Sequence, residues 1–469
     1  MPIMKSVRKI KAFGFVTMSI STILAGCNFL YVKTNGKFEY RVGHFDAPWG
    51  ITFHIGYIEA IMGVLFTIVA TLIIWYSFFS IDKEIKENRI SLYYLLINIL
   101  VGSLLGMVFT DDLFNAFVFL EVSTLAGCGI IVIKDKKDNI TATFKYLVLS
   151  SLGSGLILMG IAFLYPITGH LNMSLIHESI MALKGAHRNI LLISVSTFTV
   201  GLGVKSAMFP LHVWLPDAHA SAPTSSSAIL SGLVLKPPVI LLMKILYKVF
   251  GFEIIGSFAI LDVILILGSI GMIVGSIAAI LQKEIKRMIA YSSVAQMGYV
   301  FFGIGLGNEL GLIMAIFHII SHAVTKSTLF LVVGAMIEKT GSKKIKDLKG
   351  IGKEMPITLG VFTMGALSMV GIPIFPGFIS KWNLALATIE TGRYMFVGMI
   401  LLSSLLNVGY YFPIVINGYF GEENLEGKVY KSKVMPMKRL IPVFILVGLM
   451  VMTGVFSLNI IDMIRQGLV

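Results

Sequence analysis

Apolar residues fill most of the chain in long runs separated by short polar stretches. The runs lie at roughly 10–31, 57–80, 91–110, 112–133, 142–165, 189–209, 225–250, 256–281, 287–307, 309–338, 356–390, 394–420 and 439–462. About 20 apolar residues are what a helix needs to cross the hydrocarbon of a bilayer. The pattern therefore predicts an all-α polytopic membrane protein with about thirteen transmembrane helices. Residues 32–56 form a polar loop between the first two, holding Pro48 and Trp49. Two runs are interrupted. The stretch GLGVKSAMFPLHVWLPDAHASAPTSSSAILS reaches Lys205, breaks at Pro210, stays irregular through Pro216 and Pro223, and then re-enters a helix carrying Lys236. The run 356–390 is too long for one straight span and contains GIPIFPG at 371–377, which predicts a second broken helix.

The basic residues sort by side when the helices are made to alternate. The N-terminus, 81–90, 134–140, 210–224, 282–286, 339–355 and 421–439, with Arg287, hold 24 of the 38 Lys and Arg. The opposite loops hold Lys33, Lys37, Arg41, Lys184, Arg188, Lys248, Arg393 and Arg465. Cytoplasmic loops carry the excess of Lys and Arg, so the N-terminus is expected in the cytoplasm and the C-terminus outside. The rest lie within helices: Lys145, Lys205, Lys236, Lys244, Lys326 and Lys381. Lys145 and Lys244 sit near helix ends, where snorkelling to the interface is expected. The other four sit near mid-span or beside a break, where a charge costs roughly 2.5–3.5 kcal/mol on insertion scales.

A repeat follows from the helix order. Two sets of five helices, 91–250 and 256–420, each have a broken fourth member with a lysine near the break: Lys205 beside Pro210, and Lys381 after Pro373 and Pro376. Five is odd, so the second set enters from the opposite face, giving two inverted five-helix repeats with discontinuous helices near the midplane. Residues 1–90 then form two N-terminal spans with an external loop, and 421–469 a cytoplasmic loop and a C-terminal span.

Composition agrees: 56% of residues are hydrophobic and 13% charged, against about 25% charged in soluble proteins. The net charge of +13 does not point to nucleic acid, because the lysines alternate with membrane spans and form no single patch. Cys27 and Cys128 stand alone without a CxxC, and there is no CxxCH or GxGxxG. No redox cofactor is expected. Lys5, Arg8, Lys9 and Lys11 before an apolar run ending in LAGC resemble a lipoprotein signal, but a first transmembrane helix over 10–31 is the preferred reading.

The charged residues within the spans form a series. Glu121, in FVFLEVSTLAG, is the acidic residue nearest the middle of a span. A carboxylate within about 4–6 Å of a buried lysine favours its charged form and desolvation opposes it, so the pair makes a proton switch. Lys236 follows Lys205 on the next helix. His318, His322 and Lys326, in HIISHAVTKSTLF, recur every fourth residue and share one helix face, where imidazoles relay protons near neutral pH. The histidine pair also fits a metal site, but it lacks a carboxylate and its third neighbour is a lysine, which repels cations. No metal is expected. Lys381 closes the axis at the second break.

The motif GVKxxxFPLHxWLPDAHxxAPxxxSAxLSGxxLK resembles the signature of the antiporter-like membrane subunits shared by Mrp-type cation/proton antiporters, membrane-bound hydrogenases and respiratory complex I. IKRMIAYSSVAQMGYVFFG, 285–303, is similar to the family's segment opening the second repeat, and the resemblance covers roughly 50–440. It implies roles residue by residue. Glu121 stands for the family's glutamate on the second helix of the first repeat, Lys205 for the lysine of the first broken helix, and Lys236 for the lysine of the central connection. His318, His322 and Lys326 stand for the HxxxHxxxK stripe, and Lys381 in GIPIFPGFISKW for the lysine or glutamate at the second break. Protons would move along this axis near the midplane, within a multisubunit complex in the cytoplasmic membrane of a prokaryote, driven by redox chemistry in partner subunits or by a cation gradient. The family has two helices before its Trp-Gly element, here Trp49-Gly50, where this chain has one; loss of the first of fourteen spans predicts thirteen and a cytoplasmic N-terminus. The chain stops soon after its last helix, which argues against the most distal complex I subunit with its lateral helix, and the PLHxWLPDAH form leans toward the Mrp-D and hydrogenase or sulfane-reductase branch.

The reading is a proton-translocating subunit with no redox chemistry of its own. Alternatives are a self-contained Na⁺/H⁺ antiporter, a transporter of an anionic solute with a pocket at the breaks, and a non-transporting scaffold. A Na⁺ site wants several oxygen ligands, and only Glu121 is central.

Overall fold

The computed structural model describes residues 6–183, 185–421 and 437–468. Lys184, counted above among the sparse external basic residues, and most of the expected 421–439 loop lie outside the described residues. The helices are α1 Val7–Asn35, α2 Tyr57–Ser77, α3 Ile90–Phe109, α4 Leu113–Val132, α5 Lys137–Thr168 and α6 Met173–Ala182, then α7 Arg188–Lys205 and α8 Trp214–Ser221. A long helix α9 runs over Thr224–Gly256. It is followed by α10 Ile260–Ile280, α11 Ile285–Gly305, α12 Glu309–Thr340, α13 Pro356–Val370, α14 Pro376–Glu390, α15 Met395–Phe420, α16 Met437–Val455 and α17 Ser457–Leu468.

Ten of the helices among the described residues are long and apolar enough to cross a membrane by length and composition: α1 to α5, α9, α10, α12, α15 and α16. The other three predicted segments are helical but short, polar or interrupted. α7 ends at Lys205, α11 carries Lys286 and Arg287 in its first turn, and the long run 356–390 is cut into α13 and α14. Cys27 lies inside the continuous helix α1.

The predicted polar loop is not wholly irregular. It holds an antiparallel pair, β1 Phe38–Arg41 and β2 Thr52–Ile55, in register Phe38↔Ile55. Phe38, Tyr40, Phe53 and Ile55 supply aromatic and β-branched residues at alternate positions, the pattern a pleated strand favours. The first break is interrupted by a short helix. Irregular backbone covers 206–213 and 222–223, and Pro216 sits in the first turn of α8 between them, where a missing N–H costs nothing. At the second break Gly371 caps α13 at φ 93°, a left-handed conformation that glycine adopts freely.

Ion pairs and backbone bridges gather the polar segments at two ends of the bundle. At one end Glu84 meets Lys134 at 2.6 Å, Glu284 bridges to Lys344, and Lys83 and Arg439 both contact Glu338. At the other, β2 contacts Thr110, Asp112 pairs with Asn172, and Arg465 meets Glu309 at 3.3 Å. The lysine-rich loops are thus together at one end.

Burial locates the core. The apolar window of α12 is 100% buried and that of α9 94%, against 17% for α1. The two most enclosed helices are those bearing Lys236, His318, His322 and Lys326.

Candidate functional site

α7 terminates at the first break, and Lys205 is its last residue. The Lys205 ammonium donates to Thr124 Oγ1 at 2.7 Å and to Glu121 Oε1 at 3.3 Å, both on α4. Ser154 on α5 donates to the same Glu121 oxygen. The cut end is sealed by α8, whose buried Trp214 donates from Nε1 to the Val204 carbonyl at 2.9 Å. The charge pair expected from sequence is therefore formed.

Lys236 lies on α9 just past a π-wound turn, Leu230–Val234. Pro237 and Pro238 remove two backbone donors from this region. The fully buried ammonium donates to the Ser231 carbonyl.

On α12, His318 and His322 stack with ring centres 6.3 Å apart. His318 Nδ1 and Ser380 Oγ are 2.8 Å apart, linking α12 to α14. Lys326 donates to the Ile289 carbonyl at 3.0 Å, to Ser292 Oγ and to Tyr411 OH at 3.3 Å. Lys381 donates to the Met369 and Val370 carbonyls at 2.6 and 3.0 Å. These carbonyls terminate α13, the end of a helix that attracts cations. The Lys381 ammonium also sits 4.8 Å from the centre of the Tyr299 ring, which itself lies 5.5 Å from His318.

The seven predicted residues thus fall into two groups. Glu121 and Lys205 touch, while α12 carries the two histidines and Lys326, with Lys236 on α9 and Lys381 on α14. His322 lies within electrostatic reach of Lys236, Lys326, His318 and His219. Among the described residues no direct hydrogen bond joins Lys205 to Lys236, and none of Lys236, Lys326 and Lys381 has a carboxylate at salt-bridge distance.

Several polar residues of the interior escaped sequence reasoning. His219 on α8 and Gln296 on α11 are buried, and, as at the predicted His322, both polar side-chain atoms of each lack a partner among the described residues. Ser227 and Ser231, four residues apart on α9, face Lys286 and Ser293 at 3.1 and 2.8 Å. Lys286, counted above as a loop charge, is buried at the start of α11 and donates to the Ala222 carbonyl at 2.9 Å. The serine spacing was the available signal; for Lys286 there was none, because only packing shows which loop covers it. Lys145 contacts Asp217 at 2.7 Å and stays half exposed. Lys244 does not snorkel. Its ammonium is enclosed and lies 3.0 Å from Glu59 of α2, because α2 packs a carboxylate against it. No three His, Cys, Asp or Glu side chains converge among the described residues.

A polytopic helical bundle with two interrupted helices and buried lysines at its centre defines a class of membrane transport subunit. Residues 110–407 match the family described as NADH:quinone oxidoreductase/Mrp antiporter, transmembrane, and the chain belongs to that family. It is 34% identical over 467 residues to NADH-quinone oxidoreductase subunit N of Desulforudis audaxviator, covering 97% of this chain and 92% of that one. It is 30% identical over 464 residues to a Na(+)/H(+) antiporter subunit of Alkalihalophilus pseudofirmus, with the same coverage of 97% and 92%. Among solved structures, a chain of the archaeal membrane-bound sulfane sulfur reductase superimposes with a TM-score of 0.89 at 27% identity, covering 97% of this chain and 91% of that one. A chain of the Mrp complex from Dietzia gives 0.89 at 21% identity, covering 98% and 92%, a likeness of fold.

Proposed function

We propose that this chain carries protons through a membrane along Glu121, Lys205, Lys236, His318, His322, Lys326 and Lys381, as one subunit of a multisubunit membrane complex. The observation that carries this reading is the hydrogen bonding of the buried lysines. Lys236, Lys326 and Lys381 bond to carbonyls and hydroxyls. A neutral amine keeps two N–H donors for such acceptors, and a hydroxyl can turn to donate to the amine. Each lysine can therefore release and regain a proton with its partners still satisfied. Lys205 differs, since Glu121 favours its charged form and moving that carboxylate would free its proton.

The axis offers ammonium groups and imidazoles where a sodium site would need clustered oxygens, which favours protons over Na⁺ as the ion moved here. We assign thirteen crossings, with the lysine-rich end in the cytoplasm, the C-terminus outside, and 91–250 and 256–420 as inverted repeats. The positive-inside bias and the matching order of intact and interrupted helices support this.

Proton pumping by vesicles containing the intact complex tests the reading. Lys205→Ala and Lys236→Ala are expected to abolish pumping while the complex still assembles. Unchanged pumping in assembled variants would reject it in favour of a scaffold.

A further inference from the structure

A cavity of about 780 Å³ opens at the end of the bundle opposite the lysine-rich loops. Its lining runs from Lys37, His54 and Glu309 at the rim to Glu59, Lys244 and Ile240. Ile240 lies one helical turn past Lys236 on α9, about 6 Å along the axis. The buried Lys236 ammonium points the other way, to the Ser231 carbonyl. On this side the lining is apolar, with Ile240 and Met243 of α9 and Ile316 of α12. All three are nearly or fully buried.

The charged part of the wall is built. Glu59 accepts from Gly56 N at 3.0 Å, capping its own helix, and holds Lys244 at 3.0 Å. Lys244 also donates to the Val108 carbonyl at the end of α3. One turn on, Lys248 meets the buried Asp111 at 2.5 Å. Here α9 winds as a π-helix, Lys244–Phe250, a form concentrated at functional sites. The enclosed Glu59–Lys244 pair and the buried Asp111 carboxylate are costly to assemble beside a cavity and hold its wall in one arrangement.

We infer that this cavity is the external aqueous mouth of the ion path, closed from Lys236 by an apolar plug of Ile240, Met243 and Ile316 and framed by the Glu59–Lys244 pair. An apolar constriction stays closed while dry and conducts when wetted. Wetting this plug would connect Lys236 to the outside, while Ser231, Ser227 and Lys286 line the opposite approach. The inference rests on the proton-transport reading and on its side assignment.

Thiol accessibility tests it without turnover, so its failure is distinguishable from failure of the transport reading. In a Cys27→Ser, Cys128→Ser background, Ile240→Cys, Met243→Cys and Ile316→Cys are placed singly in the assembled complex. Each is exposed to the membrane-impermeant reagent methanethiosulfonate ethylsulfonate from either face. Labelling from the external face, with none at Val239→Cys, is the expected result. No labelling of any of the three, or labelling from the cytoplasmic face alone, overturns the inference. Ile240→Ser, which wets the plug, is expected to speed the passive decay of an imposed proton gradient several-fold. An unchanged leak in an assembled complex overturns the plug.

Discussion

Glu121 and Lys205 meet at 3.3 Å with unequal exposure: the lysine side chain is 4% exposed and the carboxylate 34%. The charged partner stands on the flank of the bundle and the group it controls lies inside. A change at the flank, whether a helix shift or a neighbouring charge, acts on Lys205 through Glu121. Glu121→Gln keeps the shape and removes the charge. Proton pumping is expected to fall to about one hundredth, the low end of what a positioned acid–base group contributes. Assembly and melting temperature, measured on the same preparation, should change little, because Thr124 still accepts from Lys205 at 2.7 Å.

Tyr411 bridges α11 and α12. Its hydroxyl lies 3.0 Å from Ser292 Oγ and accepts from Lys326 at 3.3 Å. Tyr411→Phe removes the hydroxyl and leaves the ring packed against Phe362, 6.1 Å away. Pumping is expected to slow by about tenfold, the loss of roughly 1.4 kcal/mol that one hydrogen bond represents. Lys326→Ala should stop pumping altogether.

Gly377 allows the halves of the second broken helix to touch. A Cβ there would collide with the Ser368 backbone oxygen. Gly377→Ala must push α14 off α13, and Lys381, one turn further on, would lose its hold on the Met369 and Val370 carbonyls. A destabilisation of about 1–3 kcal/mol is expected for such overpacking. It would be read as a lower melting temperature accompanied by weaker pumping.

Glu84 caps the central helix from outside it. Its carboxylate accepts from Thr224 N at 3.0 and 3.1 Å and contacts Lys134 at 2.6 Å. Burial pushes this carboxyl up, but Lys134 and Lys286 outweigh burial and hold it below its usual range. A depressed carboxyl stabilises the fold above its unfolded pKa and loses that contribution as pH falls through its folded pKa. Glu84→Gln is expected to cost about 2 kcal/mol at pH 7. The difference from wild type should shrink below pH of about 4.3, and melting curves across that range would show it.

The apolar runs, the lysines stranded within them and the prolines of the two breaks were legible in the chain itself. The bilayer leaves a helix few alternatives at such lengths. Charge–helix spacing also announced Glu121, Lys205, Lys236, the histidine stripe and Lys381, because a charge inside an apolar run stands out without knowing its neighbours. Tertiary structure decided what local pattern cannot encode. It buried Lys286 under the Ala222 loop, paired Lys244 with Glu59 from a distant helix, and brought His219 and Gln296 into the interior. It also paired β1 with β2 inside a stretch that read as loop. Which residue faces which is set by helix packing across hundreds of positions. A lysine at a helix end therefore reads the same in sequence whether lipid headgroups or a buried carboxylate receive it.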